Sequence, residues 1–312
     1  MKIYRVLAFV LASVVAINMP LFGWGNVGHM TVAYAAYQKL TPAAKKRVGV
    51  LLKLNPDYKN GKWAKMIPAG TAAKDRPMIL FMIAATWPDQ IKSETGYTND
   101  PEGGPGSSQN IGYSDHLQHR YWHFVDTPLS QDGTTLGAIP APNAETQIAA
   151  FRTVLASSDP DPLKSYDLAW LLHLVGDVHQ PLHAATRVSK ADPTGDRGGN
   201  NVMLCKKPCK NELHAFWDDL PGTVSDPNAA VLVGKKLPKP DATLAKDTDA
   251  ATWIAESFDA AKKSVYVNPP IGPGDGPFTL TAAYRADAHK IASARVALAG
   301  ARLANVINNE LK

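Results

Sequence analysis

Trp170-Leu-Leu-His173-Leu-Val-Gly-Asp177-Val-His-Gln-Pro-Leu-His183 sets the problem that the rest of the chain has to solve. Two imidazoles and a carboxylate stand in a mostly apolar run. His173 and Asp177 are four residues apart, so on a helix they share one face, one turn apart. Pro181 ends or kinks that helix and turns the chain back before His183. Burying such groups unpaired among Leu, Val and Trp is costly. Either a hydrogen-bonded network or a metal must satisfy them.

On both sides of this stretch helical patterns dominate. Val27 to Leu40 is Ala- and Val-rich at helical spacing, and Thr41-Pro42 reads as an N-cap and first-turn proline opening a helix to about Leu54. Asn55 to Thr71 reads as a turn-rich connection. Arg76 to Ile91 reads as a helix bent at Pro88, Asn99 to Gly112 as a long exposed loop, and His116 to Val125 as a short amphipathic segment. Further helices are expected at Ala144 to Leu155, Leu163 to Val178, Leu213 to Leu220, Asn228 to Leu237, Asp249 to Val265 and Leu280 to Leu311. Arg187 to Asn211 reads as loop, with a short hairpin around Val202 to Leu204. Few runs alternate with period two, and no internal repeat is present. The expectation is an all-α, mainly helical single domain with long loops, where function concentrates.

The bulk composition agrees with a globular chain: 312 residues, 45% hydrophobic and 20% charged. Residues 1–23 read as a secretory signal peptide, with Lys2 and Arg5 ahead of the apolar run Val6 to Ile17. That run is short for a membrane anchor, the competing reading. Cleavage is expected after Gly23, leaving a domain over 24–312 that is secreted or periplasmic and not membrane-held. Losing Lys2 and Arg5 lowers the net charge from +5 to +3, so a polyanionic partner is suited but not demanded. Cys205 and Cys209 are the only cysteines. In an oxidising compartment they are expected to pair as a disulfide; zinc is the alternative, but a second pair is lacking.

Nine histidines are present, several near an Asp at useful spacing. His214 and Asp218 repeat the four-residue spacing of His173 and Asp177. His29 follows Trp24-Gly-Asn-Val-Gly, Asp89 closes Trp87-Pro-Asp89, and His123 opens His-Phe-Val-Asp126. Mixed His and Asp ligands suit catalytic zinc, and less often manganese or iron. No H-E-x-x-H, G-x-S-x-G or P-loop occurs.

These pieces resemble, in order and through most of the chain, the secreted zinc-dependent nucleases of the S-one/P-one type, whose fold is shared with bacterial zinc-dependent phospholipase C. The matching motifs are W-G-x-x-G-H at Trp24 to His29, W-P-D at Trp87 to Asp89, H-F-V-D at His123 to Asp126, H-x-x-G-D-x-x-Q-P-L-H at His173 to His183, G-D-R-G-G-N at Gly195 to Asn200 and H-x-F-W-D at His214 to Asp218. The resemblance implies three zinc ions. Asp89, His123, His173 and Asp177 would hold the first; His183, His214 and Asp218 the second; His29, Asp177 and the amine and carbonyl of Trp24 the third. It implies hydrolysis of single-stranded RNA and DNA to 5′-mononucleotides, with 3′-nucleotides also as substrates. Asp89, Asp177 and the phosphate-contacting Lys92 would be catalytic. Phe124 and Asp126 would stack and bond a base, and Asn200 would touch the adjoining nucleotide. Arg197 stands where fungal members have an apolar wall, and the Asn99 to Gly112 loop has no counterpart, so base preference is left open. A phospholipase C, or a secreted zinc-binding protein without catalysis, is the competing reading. Nothing indicates a stable protein partner. His116, His119, His179 and His289 read as surface or supporting residues, and Trp63 and Trp253 as core.

Overall fold

A computed structural model describes residues 24–206, 208 and 211–311. The expected signal peptide lies outside the described residues, as does Cys209, and with it the expected disulfide.

Among the described residues there are twelve α-helices. The first is α1 (Asn26–Tyr37) and the second α2 (Pro42–Leu52). Thr41 caps α2 by accepting a hydrogen bond from the Ala44 amide at 3.1 Å. The stretch read as a turn-rich connection instead folds two short helices, α3 (Pro56–Lys59) and α4 (Lys62–Met66). Asn55 caps α3 and Pro56 opens it, a start signal that the density of turn residues masked. Where one bent helix was expected, α5 (Arg76–Ala84) stops and α6 (Trp87–Gln90) restarts with Pro88 in its first turn. Then come α7 (Ala144–Ala156) and α8 (Asp161–Asp177). The short α9 (Leu213–Asp218), α10 (Pro227–Gly234), α11 (Ala250–Ala260) and the long α12 (Ala282–Glu310) complete the set.

Helix α8 is the axis of the molecule. Every residue from Lys164 to Asp177 is buried. That explains its sequence, in which apolar residues from Leu168 to Val175 occupy every face rather than one stripe, His173 excepted. Around it pack α7, α2, α12, α1 and α6. Helix α1 is nearly as enclosed and lies between α12, α10 and α5. Trp24, Trp63, Trp87, Trp122, Trp170, Trp217 and Trp253 are all in the core, Trp63 and Trp253 as expected.

The expected hairpin at Val202 to Leu204 is reduced to one antiparallel bridge, Met203 with Glu212. The described sheet has two strands, β1 (Pro128–Ser130) and β2 (Thr186–Val188), in parallel. This short ladder matters for the site. With Val125 N donating to His183 O (2.8 Å) and Thr186 N to Thr127 O (3.0 Å), it zips the segment after His123 to the segment after His183.

Candidate metal centre and base pocket

Three sets of buried donors converge at the C-terminal end of α8. His29, His173 and Asp177 form one; Asp89, His123 and His173 a second; His183, His214 and Asp218 a third. Within each set the ligand atoms lie within 4.8 Å of one another. Helix α1 brings His29, α6 brings Asp89, α8 brings His173 and Asp177, and α9 brings His214 and Asp218. The turns Arg120–His123 and Pro181–His183 bring the remaining two.

The i,i+4 spacing works as the sequence suggests. His173 Nε2 lies 3.1 Å from Asp177 Oδ2, and His214 Nε2 lies 3.4 Å from Asp218 Oδ2. His123 Nδ1 is 2.9 Å from His173 Nε2 and 3.0 Å from Asp177 Oδ2. The other carboxylate oxygen, Asp177 Oδ1, faces His29 Nε2 at 3.3 Å. Asp177 thus reaches two sets with its two oxygens.

The tautomers show what these groups require. His173 Nδ1 donates to Ala85 O (2.8 Å), His183 Nδ1 to His123 O (2.7 Å) and His214 Nδ1 to Gly198 O (2.7 Å). In its neutral, ligating form each ring therefore turns its Nε2 lone pair toward the cluster. His183 Nε2 and His214 Nε2 are 3.2 Å apart, two acceptors face to face. Tetrahedral ligands at zinc distances stand about 3.3 Å from one another. Both ring nitrogens of His29, together with His123 Nε2, Asp89 Oδ2 and Asp177 Oδ1, are buried and find no hydrogen bond among the described residues. A cation among the sets fits these lone pairs and carboxylates; an apolar core does not.

The electrostatics agree. Burial alone would raise Asp177, but His173 and His183 outweigh it and hold the carboxyl well below the usual range. Burial likewise opposes ionisation of Asp89, yet Lys92 and His173 bring it to about 2. Burial, with Lys92, lowers His123 to about 3, so its ring is neutral and able to ligate. Lys92 is itself buried, and its Nζ donates to Asp89 Oδ1 at 2.7 Å.

Beside the third set opens a pocket of about 210 Å³, lined by Glu102, Phe124, Asp126, Leu182, Arg197, Gly198 and His214. The Gly195 to Asn200 turn shapes it. Arg197 and Gly198 both take positive φ, 55° and 61°. A Cβ on Gly198 would meet Leu182 O at 2.5 Å, so only glycine lets the Gly198 carbonyl close on His214. Asn200 is partly buried, and its side-chain amide donates to Arg197 O at 2.7 Å, closing the turn. Trp24 is fully buried; its side chain lies beside Gly28 and Gly176, next to His29. A larger groove of about 670 Å³ between α2, α4 and α5 is lined by no His, Asp or Glu.

Sequence reasoning missed several supports. Gln180 Nε2 donates to Asp218 Oδ1 at 2.7 Å and orients that ligand. It sits inside a recognised motif, which was the available signal. Glu102 gave no signal, because a loop reveals its pocket only when folded. His119, expected at the surface or in a supporting place, is fully buried. Its Nε2 is 2.7 Å from Asp115 Oδ2, and its amide donates to Asp100 Oδ1 at 2.8 Å. His116 and His289 are exposed, and His179 is buried under α12, accepting from Arg302 Nη1 at 3.0 Å.

Fold and site together define a mainly helical protein built around confluent metal-ligand sets. A family model described as S1/P1 Nuclease matches residues 24–312. The chain belongs to this family, which makes it a nuclease, a hydrolase of phosphodiester bonds. Among its relatives, Endonuclease 4 of Arabidopsis thaliana is 27% identical, over 91% of this chain and 88% of its own. Nuclease S1 of Aspergillus oryzae is 23% identical, over 66% of this chain and 57% of its own. Nuclease P1 of Penicillium citrinum is 23% identical, over 62% and 57%. No described helix is long and apolar enough to cross a membrane.

Proposed function

We propose that this chain is an exported three-zinc nuclease that hydrolyses single-stranded RNA and DNA to 5′-mononucleotides and also acts on 3′-nucleotides. The observation that carries this reading is the convergence of three His and Asp donor sets, two of which share His173 and are bridged by the two oxygens of Asp177, with a base-sized pocket directly beside them. Asp89, His123, His173 and Asp177 would hold the first zinc, and His183, His214 and Asp218 the second. His29, Asp177 and the freed amine and carbonyl of Trp24 would hold the third. An α-amine with a pKa near 8 can lose its proton to a metal, so removal of a leader ending at Gly23 would complete that set.

Bound zinc would supply Lewis acidity, generating hydroxide near neutral pH and stabilising charge on phosphoryl oxygens. The chain's own groups do the remaining work. Lys92 adds a fixed positive charge next to Asp89, where a phosphate would sit. Phe124 offers a face for stacking, and Asp126 accepts from a base edge. A pocket of about 210 Å³ takes one base at a time. A base must leave its duplex to enter, which favours single strands. The backbone carbonyls behind His173, His183 and His214 fix the rings and cost nothing to reorganise during turnover.

The deciding experiment incubates purified protein with single-stranded DNA, RNA and phosphatidylcholine, with and without a chelator. Chelator-sensitive release of 5′-nucleotides is expected. Phosphocholine release without nucleolysis would instead identify a phospholipase C. Bound zinc with no turnover on any substrate would identify a binding protein.

A further inference from the structure

The Asn99 to Gly112 loop brings a carboxylate to the base pocket. Glu102 shares the pocket with Asp126 and Arg197. The Glu102 charge acts on Asp126: burial first, then Glu102 and Asp196, push the Asp126 carboxyl up to about 6, and Arg197 opposes them. Two acceptor groups and one guanidinium therefore face one base-sized space.

Glu102 is exposed at the pocket rim, and the loop that carries it is tied down on both sides. Two residues before it, Asp100 accepts from the His119 amide at 2.8 Å and from the Tyr121 hydroxyl. Pro101 O accepts from Gly104 N at 3.0 Å, turning the chain at Glu102 itself. Five residues after it, Ser107 O accepts from Trp122 Nε1 at 2.9 Å. Farther on, Asn110 Nδ2 donates to Asp167 Oδ2 at 2.9 Å on α8. His119, Tyr121 and Trp122 belong to, or adjoin, the same Arg120–His123 turn that delivers His123. The anchors on either side of Glu102 are thus tied to the frame of the metal centre.

Bases differ in what they offer such a pocket. Guanine presents adjacent N1–H and N2–H₂ donors with the O6 acceptor beside them. Adenine and cytosine present one exocyclic amine next to a ring acceptor. Uracil and thymine present a single N–H flanked by two carbonyl oxygens, which a pair of carboxylates repels. Guanine alone offers two adjacent donor atoms, one for each carboxylate, while giving Arg197 an acceptor. Resting on the nuclease reading above, we infer that Glu102 is a specificity-determining residue that, with Asp126 and Arg197, makes the pocket select guanine and reject uracil.

The test uses the full protein with Glu102→Gln and Glu102→Ala. Dinucleoside monophosphates differing in one base, at either position, are assayed for kcat/KM. Binding of 5′-GMP, 5′-IMP and 5′-UMP is measured separately by calorimetry. A hydrogen bond to a charged acceptor is worth about tenfold in affinity. The wild type should therefore favour guanine over uracil by about tenfold or more, with inosine, which lacks the N2 amine, between them. Both substitutions should shrink that ratio to about threefold or less. Equal treatment of the bases by the wild type, or a guanine preference surviving both substitutions, overturns the inference. If no dinucleotide is cleaved but GMP binds over UMP in a Glu102-dependent way, the nuclease reading fails and the pocket assignment stands.

Discussion

Gly176→Ala tests whether the His29 set is as tightly built as its distances indicate. In an ordinary helix interior this substitution is favourable, by about 1 kcal/mol. Here a Cβ would lie 2.9 Å from His29 Nδ1 and 3.3 Å from its Cε1. Comfortable contact begins near 3.5 Å, so the ring must retreat by about half an ångström or more. It has nowhere to go: the His29 ring is fully buried and stacked on His173, with centroids 3.7 Å apart and planes at 17°. Overpacking of a rigid core costs about 1–3 kcal/mol, which cancels or exceeds the helix gain. The expected outcome is a variant between neutral and about 2 kcal/mol less stable, measured by denaturant unfolding in chelator. Metal analysis by mass spectrometry should show less bound zinc, because His29 is displaced from Asp177. A variant about 1 kcal/mol more stable with unchanged metal content would show that His29 is not held where the geometry requires it.

Other perturbations probe other parts. Asp177→Asn removes a charge that faces two donor sets, so bound metal should fall and turnover be lost; near-normal turnover would overturn the ligand assignment. Glu256→Gln strips the carboxylate from buried Arg302 and Arg295, which it contacts at 2.7 and 2.8 Å, and should cost about 3 kcal/mol in unfolding free energy; a loss under about 1 kcal/mol would mean water reaches the pair. Asp167→Asn should change the pH dependence of stability. Burial pushes the folded Asp167 carboxyl up to about 8 from 3.8. The folded state therefore holds that proton more tightly than the unfolded chain does, and wild-type stability is eroded as pH rises from about 4 through 8. The Asn variant lacks this loss, so its stability relative to wild type should climb across that window; a flat difference would place Asp167 in water.

The helices were legible because caps and periodicity are local. Thr41-Pro42 announces α2, and the two His-x-x-x-Asp pairs announce shared helical faces. Boundaries slipped where a local signal was ambiguous, as at Asn55-Pro56, where a turn dipeptide also starts a helix. The donors were legible as types, but their grouping was not a matter of spacing. His123 and His173 are 50 residues apart and meet only through tertiary packing. The carbonyls of Ala85, His123 and Gly198, which fix the tautomers, are invisible in any sequence, since every residue has one. Glu102 was illegible for a related reason: its role depends on Asp100, Ser107 and Asn110 being tied to residues far along the chain.

Core and site are the same object in this fold. Helix α8 ends at Asp177, and the chain beyond it must turn sharply to carry His183 to a different donor set. The turn is pinned from beneath. His179 Nδ1 donates back to Val175 O at 2.7 Å, its carbonyl accepts from Arg295 Nε at 3.1 Å, and its Nε2 accepts from Arg302. Glu256 pairs with both arginines. Ser257 Oγ donates to Val178 O, so α11 holds the same turn as α12. Buried charge of this kind is a poor route to stability, since apolar packing would serve as well or better. Its value here is directional. Oriented hydrogen bonds from two helices fix where the chain reverses, and the angle of that reversal decides whether His183 meets His214 or misses it. A damaged Arg302, Arg295 or Glu256 should thus lower metal content along with stability, although none of them approaches a donor set.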